Sequence, residues 1–152
     1  MPERVLVDTS CLIVLQNIGE LDLLKKLYDT VTITPEVAQE FGEPLPTWVK
    51  ILSSKNTLNK EIFEQYIDKG EASILTLALE LPGAVAIVDD SKARTIAVDH
   101  GIRISGTLGV LVKAKQKGII IRIKPIVKKL QSNGFWISPE LVRNILAESE
   151  EE

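Results

Sequence analysis

Four acidic positions combine a residue type with a placement that could do chemistry. Asp8 ends the apolar run Arg4-Val5-Leu6-Val7, and Asp89, followed by Asp90, ends Ala84-Val85-Ala86-Ile87-Val88. Glu40 lies in the second turn after Thr34-Pro35, and Glu71 lies in the first turn after Gly70. If both apolar runs are parallel strands, their aspartates leave the sheet at the carboxyl edge, where α/β folds bind ligands. Carboxylates gathered there repel: at about 4 Å and an effective dielectric near 20, each pair costs on the order of 4 kcal/mol. A fold tolerates that when the acids are protonated or a cation lies between them. Oxygen donors without His or Cys select Mg²⁺ or Mn²⁺ over zinc. Each acid also has a plainer use: Asp8 as a helix cap, Glu71 as complement to a helix N-terminus, Glu40 as a solvated helix residue, and Asp89 as a turn former.

The elements that would position these acids follow from hydrophobic patterning. Arg4 to Asp8 reads as a buried parallel strand, Val31-Thr32-Ile33 as a second, and Ala84 to Val88 as a central one. Ile102 to Ile104 is a further strand, Trp48 to Leu52 a short edge strand, and Ile119 to Ile123 a last short strand. Thr9-Ser10 caps a helix from Cys11 to about Asn17, and Leu21 to Tyr28 forms another. Thr34 is the N-cap of a helix with Pro35 at its first position, where the missing N–H costs nothing. Ser53 to Asn59 reads as a polar loop, Lys60 to Asp68 as a helix, and Glu71 to Leu79 as a helix apolar nearly all round and so buried. Ser91 to His100, Thr107 (as cap) to Lys117, Pro125 to Gln131 and Pro139 to Ala147 complete the helices. Strands separated by helices imply an α/β fold: a parallel β-sheet flanked by helices on both faces. The chain reads as a single domain over residues 1–147, with an acidic tail, 148–152, that should fray.

Composition excludes several classes. The chain has 152 residues, 45% hydrophobic and 26% charged, which suits one globular domain and excludes disorder or a collagen repeat. One Cys and one His exclude a disulfide framework, a His/Cys zinc site and an iron–sulfur cluster. No apolar run approaches the roughly 20 residues of a membrane helix, and Met1-Pro2-Glu3-Arg4 lacks a basic leader, so the expected home is the cytoplasm, away from membranes. Net charge is -3, unevenly spread: residues 91–131 hold ten of the 18 Lys and Arg and one of the 21 acids, Asp99. That asymmetry suits an anionic partner on one face and a cation on the other, or simply helices solvated by lysines. Cys11, in an apolar stripe, reads as a packing residue, and His100 as a helix C-terminal cation. Trp48, Phe135 and Trp136 read as core or interface anchors.

The ordered acidic motifs resemble those of PIN-domain ribonucleases. The resemblance runs through Val5-Leu6-Val7-Asp8-Thr9-Ser10, Thr34-Pro35-Glu36-Val37-Ala38-Gln39-Glu40, Gly70-Glu71-Ala72-Ser73-Ile74 and Ile87-Val88-Asp89-Asp90-Ser91-Lys92-Ala93-Arg94. Ile104-Ser105-Gly106-Thr107-Leu108-Gly109-Val110-Leu111 is similar to the toxin-like, VapC-like prokaryotic branch. The resemblance implies a PIN-like, three-layer α/β/α fold and a divalent-metal-dependent endoribonuclease that hydrolyses RNA, in the setting of a toxin–antitoxin pair. It carries catalytic roles onto Asp8, Glu40, Glu71 and Asp89, and metal binding onto Asp8, Glu71 and Asp89 or Asp90, with Asp89 favoured for ending the strand directly. Many relatives have Asp where this chain has the longer Glu71.

Bottom-up chemistry agrees with that assignment. Mg²⁺ or Mn²⁺ held by Asp8, Glu71 and Asp89 would activate water against a scissile phosphate, with Glu40 ligating through water or orienting the nucleophile. Ser10 or Thr9 would orient a carboxylate or phosphate, and Lys92 and Arg94 would clamp substrate, backed by the basic segment. Expected partners are RNA, an antitoxin protein and a second copy of the chain in a homodimer. The competing expectation is a PIN-like module that binds RNA or protein without cutting. A haloacid-dehalogenase-type phosphatase would need a second Asp at Ser10, and no run ends in Gly-Lys-Ser/Thr to cradle a nucleotide phosphate.

Overall fold

The structure, a computed structural model, describes residues 4–151; the leader reading at residues 1–3 and the last tail residue, 152, lie outside the described residues. Five strands, β1 (Arg4–Val7), β2 (Val31–Ile33), β3 (Val49–Ile51), β4 (Ala84–Ile87) and β5 (Arg103–Ser105), form one parallel sheet in the order β3-β2-β1-β4-β5. The chain steps outward from β1 through β2 to β3, then restarts on the other side with β4. Strand order therefore reverses between β1 and β4, which is where an open α/β sheet leaves a crevice. Val5, Leu6 and Val7 on β1, and Ala84, Ala86 and Ile87 on β4, are buried, as strands covered on both faces require.

Nine helices are present among the described residues: α1 (Thr9–Asn17), α2 (Asp22–Tyr28), α3 (Pro35–Phe41), α4 (Thr57–Phe63), α5 (Lys69–Glu80), α6 (Ser91–Asp99), α7 (Thr107–Gln116), α8 (Lys124–Ser132) and α9 (Pro139–Glu148). α5 packs against α3, α4 and α6 as well as β1 and β4, while α7 packs against α2 and α9. The result is a three-layer α/β/α architecture. α5 is buried from Gly70 through Ala78, as its all-round apolar character requires. No helix among the described residues is long and apolar enough to cross a membrane.

The structure corrects the sequence reading at several ends. α1 begins at Thr9, leaving Asp8 at the N-cap position, and α7 begins at Thr107, leaving Gly106 there. α4 starts within the expected polar loop, because the Asn56 side chain accepts the Asn59 N–H and caps it. Ile119 to Ile123 forms no strand: the Ile119 and Ile120 N–H groups return to the Ala114 carbonyl and close the end of α7.

The tail is the clearest correction. Where fraying was expected from residue 148, the Glu151 carboxylate accepts the Ile123 N–H at 2.7 Å and the Lys124 N–H at 3.1 Å, and pairs with Lys115 at 2.9 Å. These backbone donors are orphans at the start of α8, whose N-cap Ile123 supplies no side-chain acceptor. The acid therefore caps a distant helix.

Burial acts to raise the Glu151 carboxyl, but the Ile123 N–H, the Lys115 ammonium and the Lys124 N–H outweigh it and hold it down at about 2. A carboxyl depressed on folding stabilises the protein above its ordinary range and loses that contribution as pH falls toward the folded value. Glu151→Gln should lower stability at neutral pH by about 1–3 kcal/mol, the scale of charge-assisted hydrogen bonds. Urea melts of both proteins should show the gap closing as pH drops from about 4.5 to 2; a gap independent of pH would contradict this account.

Candidate active site

β1 and β4 are hydrogen-bonded in register, Val7 beside Ile87, so Asp8 and Asp89 leave the sheet at one edge. The ladder runs one step past the strands, with the Asp8 N–H donating to the Ile87 carbonyl at 3.1 Å. Asp8 is only 3% exposed. It stands at the N-cap position of α1, yet its carboxylate makes no capping hydrogen bond and Oδ1 has no partner among the described residues. A buried, unpartnered carboxylate oxygen is costly, and capping does not explain it. Burial pushes the Asp8 carboxyl up to about 7; the Thr9 N–H pulls the other way, and the charges of Glu71, Asp68 and Glu40 add to the rise. Three further acids thus share its surroundings.

Glu40 reaches this group from α3. The Thr9 hydroxyl donates to Glu40 Oε1 at 2.7 Å, and a Cβ at Gly70 would overlap the same carboxylate. The Glu40 carboxylate lies where it does because position 70 has no side chain; an added Cβ would make it move. The start of α3 is set by Thr34, whose Oγ1 accepts the Val37 N–H at 3.2 Å and lies 2.6 Å from Ser73 Oγ. Ser73 in turn donates to the Gly70 carbonyl at 2.7 Å, so Thr34 is the donor in the hydroxyl pair. These buried hydroxyls tie the first turns of α3 and α5 together beneath the acids.

Glu71 has both of the uses the sequence allowed. It closes a reciprocal capping box at the start of α5: Asp68 Oδ1 accepts the Glu71 N–H at 2.8 Å, and Glu71 Oε1 accepts the Asp68 N–H at 3.2 Å. It is also 7% exposed, and burial pushes its carboxyl up to about 7, with the charges of Asp68 and Asp90 contributing. Asp68 is the acid that sequence reasoning missed. Its signal was present, since Asp68 and Glu71 have the spacing of a capping box.

The other expected residues divide. Asp89 turns to the start of α7, where its two oxygens accept the Thr107 N–H at 2.8 Å and the Thr107 hydroxyl at 2.6 Å. Asp90 caps α6 through the Ala93 N–H at 3.0 Å and is exposed. Of this pair, Asp90 is the one whose charge bears on Glu71. Thr9 is buried against Glu40, whereas Ser10 is exposed. Lys92 is exposed on the first turn of α6, and Arg94 is half-buried, with Nη1 donating to the Val88 carbonyl at 2.7 Å.

Part of the basic segment is already neutralised: Lys115 pairs with Glu151, and Lys129 lies 3.5 Å from Glu20. Cys11 is fully buried and burial pushes its thiol up to about 12, which makes it a packing residue. His100 packs edge-on against Phe63 with ring centroids 5.1 Å apart. Trp48 and Phe135 pack against the core, but Trp136 is 82% exposed and anchors nothing in it.

No group of three or more His, Cys, Asp or Glu side chains among the described residues is gathered, as placed, so that it could hold a metal ion. The chemistry of the donors nevertheless suits a hard divalent cation: they are oxygens, Asp8 Oδ1 is unsatisfied, and burial, with neighbouring acids adding to it, pushes the Asp8 and Glu71 carboxyls up to about 7. Asp8 and Glu71, with Glu40, Asp68 and Asp90 around them, are the residues that could hold it. A family model described as a PIN domain matches residues 4–151. No curated protein matches the chain.

Two measurements follow from the geometry. A carboxyl raised on folding makes the folded state bind more protons than the unfolded chain, so stability falls as pH rises through the interval. In EDTA, the protein should lose roughly 3 kcal/mol between pH 4 and pH 7 from Asp8 and its neighbours together, and Asp8→Asn should flatten that slope in urea melts. A slope unchanged in Asp8→Asn would contradict the burial argument. Gly70→Ala leaves helix propensity equal or better, by up to about 1 kcal/mol, but displaces the Glu40 carboxylate. It should cut activity roughly tenfold, as loss of a positioning contact does, with the melting temperature nearly unchanged; full activity would show that Glu40 is not needed where it stands.

Proposed function

We propose, from the premise that the chain belongs to the PIN-domain family, that it is a divalent-metal-dependent endoribonuclease acting on RNA phosphodiester bonds. Membership carries a nuclease-type function, and the metal requirement and the RNA substrate go beyond it. The observation that supports them is Asp8 Oδ1, buried and unpartnered, in the field of Glu40, Asp68 and Glu71. Among the described residues no Lys or Arg hydrogen-bonds or pairs with Asp8, so a cation from solution is the natural complement.

Each residue has a task in this reading. Asp8 and Glu71, with Asp89 or Asp90 beside them, would hold Mg²⁺ or Mn²⁺, which when bound supplies positive charge and Lewis acidity toward a phosphate. Glu40, steadied by the Thr9 hydroxyl, orients a water and accepts its proton. Arg94, braced on the Val88 carbonyl, presents the rest of its guanidinium to a phosphate, and Lys92 adds an exposed cation at the start of α6. Ser10, exposed one residue past Thr9, offers a hydroxyl to the same phosphate. The biological setting of this reading is the toxin of a toxin–antitoxin pair, with an antitoxin protein and a second copy of the chain as partners. Expression of the wild type would then arrest growth, and expression of Asp8→Asn would not.

One pair of observations favours a second reading, an RNA- or protein-binding module that does not cut. Both oxygens of Asp89 are spent on Thr107, and Glu71 is spent in part on its capping box. End-labelled single-stranded RNA separates the two. The nuclease reading expects cleavage with Mn²⁺ or Mg²⁺, none in EDTA, and a loss in Asp8→Asn or Glu71→Gln of at least about 10- to 100-fold, the scale of losing even an outer partner of a metal site. RNA binding without cleavage, indifferent to either ion, would overturn it in favour of the module.

A further inference from the structure

A cleft of about 790 Å³ opens beside Asp89, walled by Arg94, by Lys113 and Lys117 of α7, and by Phe135 and Trp136 from the turn between α8 and α9. Trp136 is the unusual member. Its neighbours on either side are packed inward, Phe135 against the core and Ile137 at 5% exposure, while the indole between them is 82% exposed. The turn is pinned from both sides by Phe135 and Ile137, so the indole is held out at the edge of a cleft. Three cations line that cleft, Arg94, Lys113 and Lys117, against two acids, Asp89 and Glu148. Lys113 also stands 4.9 Å over the Tyr28 ring, which restrains its ammonium.

We propose that this cleft is a nucleotide subsite in which single-stranded RNA extending from the acidic edge stacks a base on Trp136 and lays its phosphates along Arg94 and Lys117. The assignment rests on the nuclease reading and adds where the strand runs. The chemistry is that of a single-stranded nucleic-acid channel: an aromatic face accepts any base, and nearby cations track the backbone. Asp89 belongs both to the acidic edge and to the cleft wall, so a strand bound here is continuous with the acids. An apolar protein segment could cover the indole, but the continuity of the cleft with the acidic edge through Asp89, and the Arg94 and Lys117 side chains along it, favour the anionic strand.

Anisotropy of a labelled single-stranded RNA of about eight nucleotides, in EDTA so that it stays intact, tests the subsite. Trp136→Ala should weaken binding roughly 5- to 100-fold and Trp136→Phe by less than about threefold, because a phenyl ring still stacks. Lys117→Gln should lower the dependence of log affinity on log salt by about 1. Tryptophan emission should be quenched by RNA in the wild type, and Trp136→Ala should lose that quench while Trp48 still emits. Unchanged RNA affinity in Trp136→Ala, with the wild type cutting RNA in Mn²⁺, would overturn the subsite and leave the nuclease reading standing. A wild type that neither binds nor cuts RNA would overturn both. Emission from Trp136 that answers an added protein and not RNA would assign the cleft to another occupant and overturn the subsite.

Discussion

A buried carboxylate with one oxygen unpartnered, in the field of other carboxylates, is the constraint on which this structure turns. Asp8 occupies it because β1 and β4 lie side by side at the reversal of strand order, and because the first residue after β1 is buried there. Burial in a poorly solvated crevice, with the charges of neighbouring acids adding to it, raises a carboxyl's affinity for protons and disposes it toward cations. The fold answers part of this repulsion itself. α1, α3, α6 and α7 each follow a strand directly, so their N-termini and partial positive charges lie toward the same edge. What those dipoles leave unbalanced is the capacity to bind something positive.

The supporting contacts are small and buried. Thr34 and Ser73 tie two helix starts together, Thr9 holds Glu40, and Gly70 leaves room for the Glu40 carboxylate that a side chain there would displace. Asp68 and Glu71 close the start of α5 on each other. Helix capping and the gathering of negative charge are here done by the same side chains, which is economical in a chain of 152 residues. The basic face is divided in a similar way: some cations serve internal ion pairs, and others line the cleft beside Asp89.

Much of this was legible in the residues. β-Branched runs marked β1, β2 and β4, Thr34-Pro35 marked the start of α3, and acids at run ends marked one sheet edge, because each of these signals is local. The order of the acidic motifs pointed to the PIN family, in which the chain stands. What was not legible depends on tertiary contact. The isoleucines at 119–123 look alike whether they join a sheet or close a helix end, and both sheet edges, β3 and β5, lie elsewhere. Glu151 looks like loose tail until α8 is seen to lack a cap. The turning of Asp89 toward Thr107 and the exposure of Trp136 depend on how α7 and α9 pack. Asp68 is legible too, since its spacing from Glu71 is that of a capping box.

Anomalous diffraction from a crystal soaked in Mn²⁺ tests the central claim most directly. The account predicts an ion against Asp8 Oδ1, reached also by Glu71 and at least one of Glu40, Asp68, Asp89 or Asp90, and absent from Asp8→Asn crystals. Manganese bound elsewhere, with Asp8 Oδ1 still buried and without a partner, would contradict it.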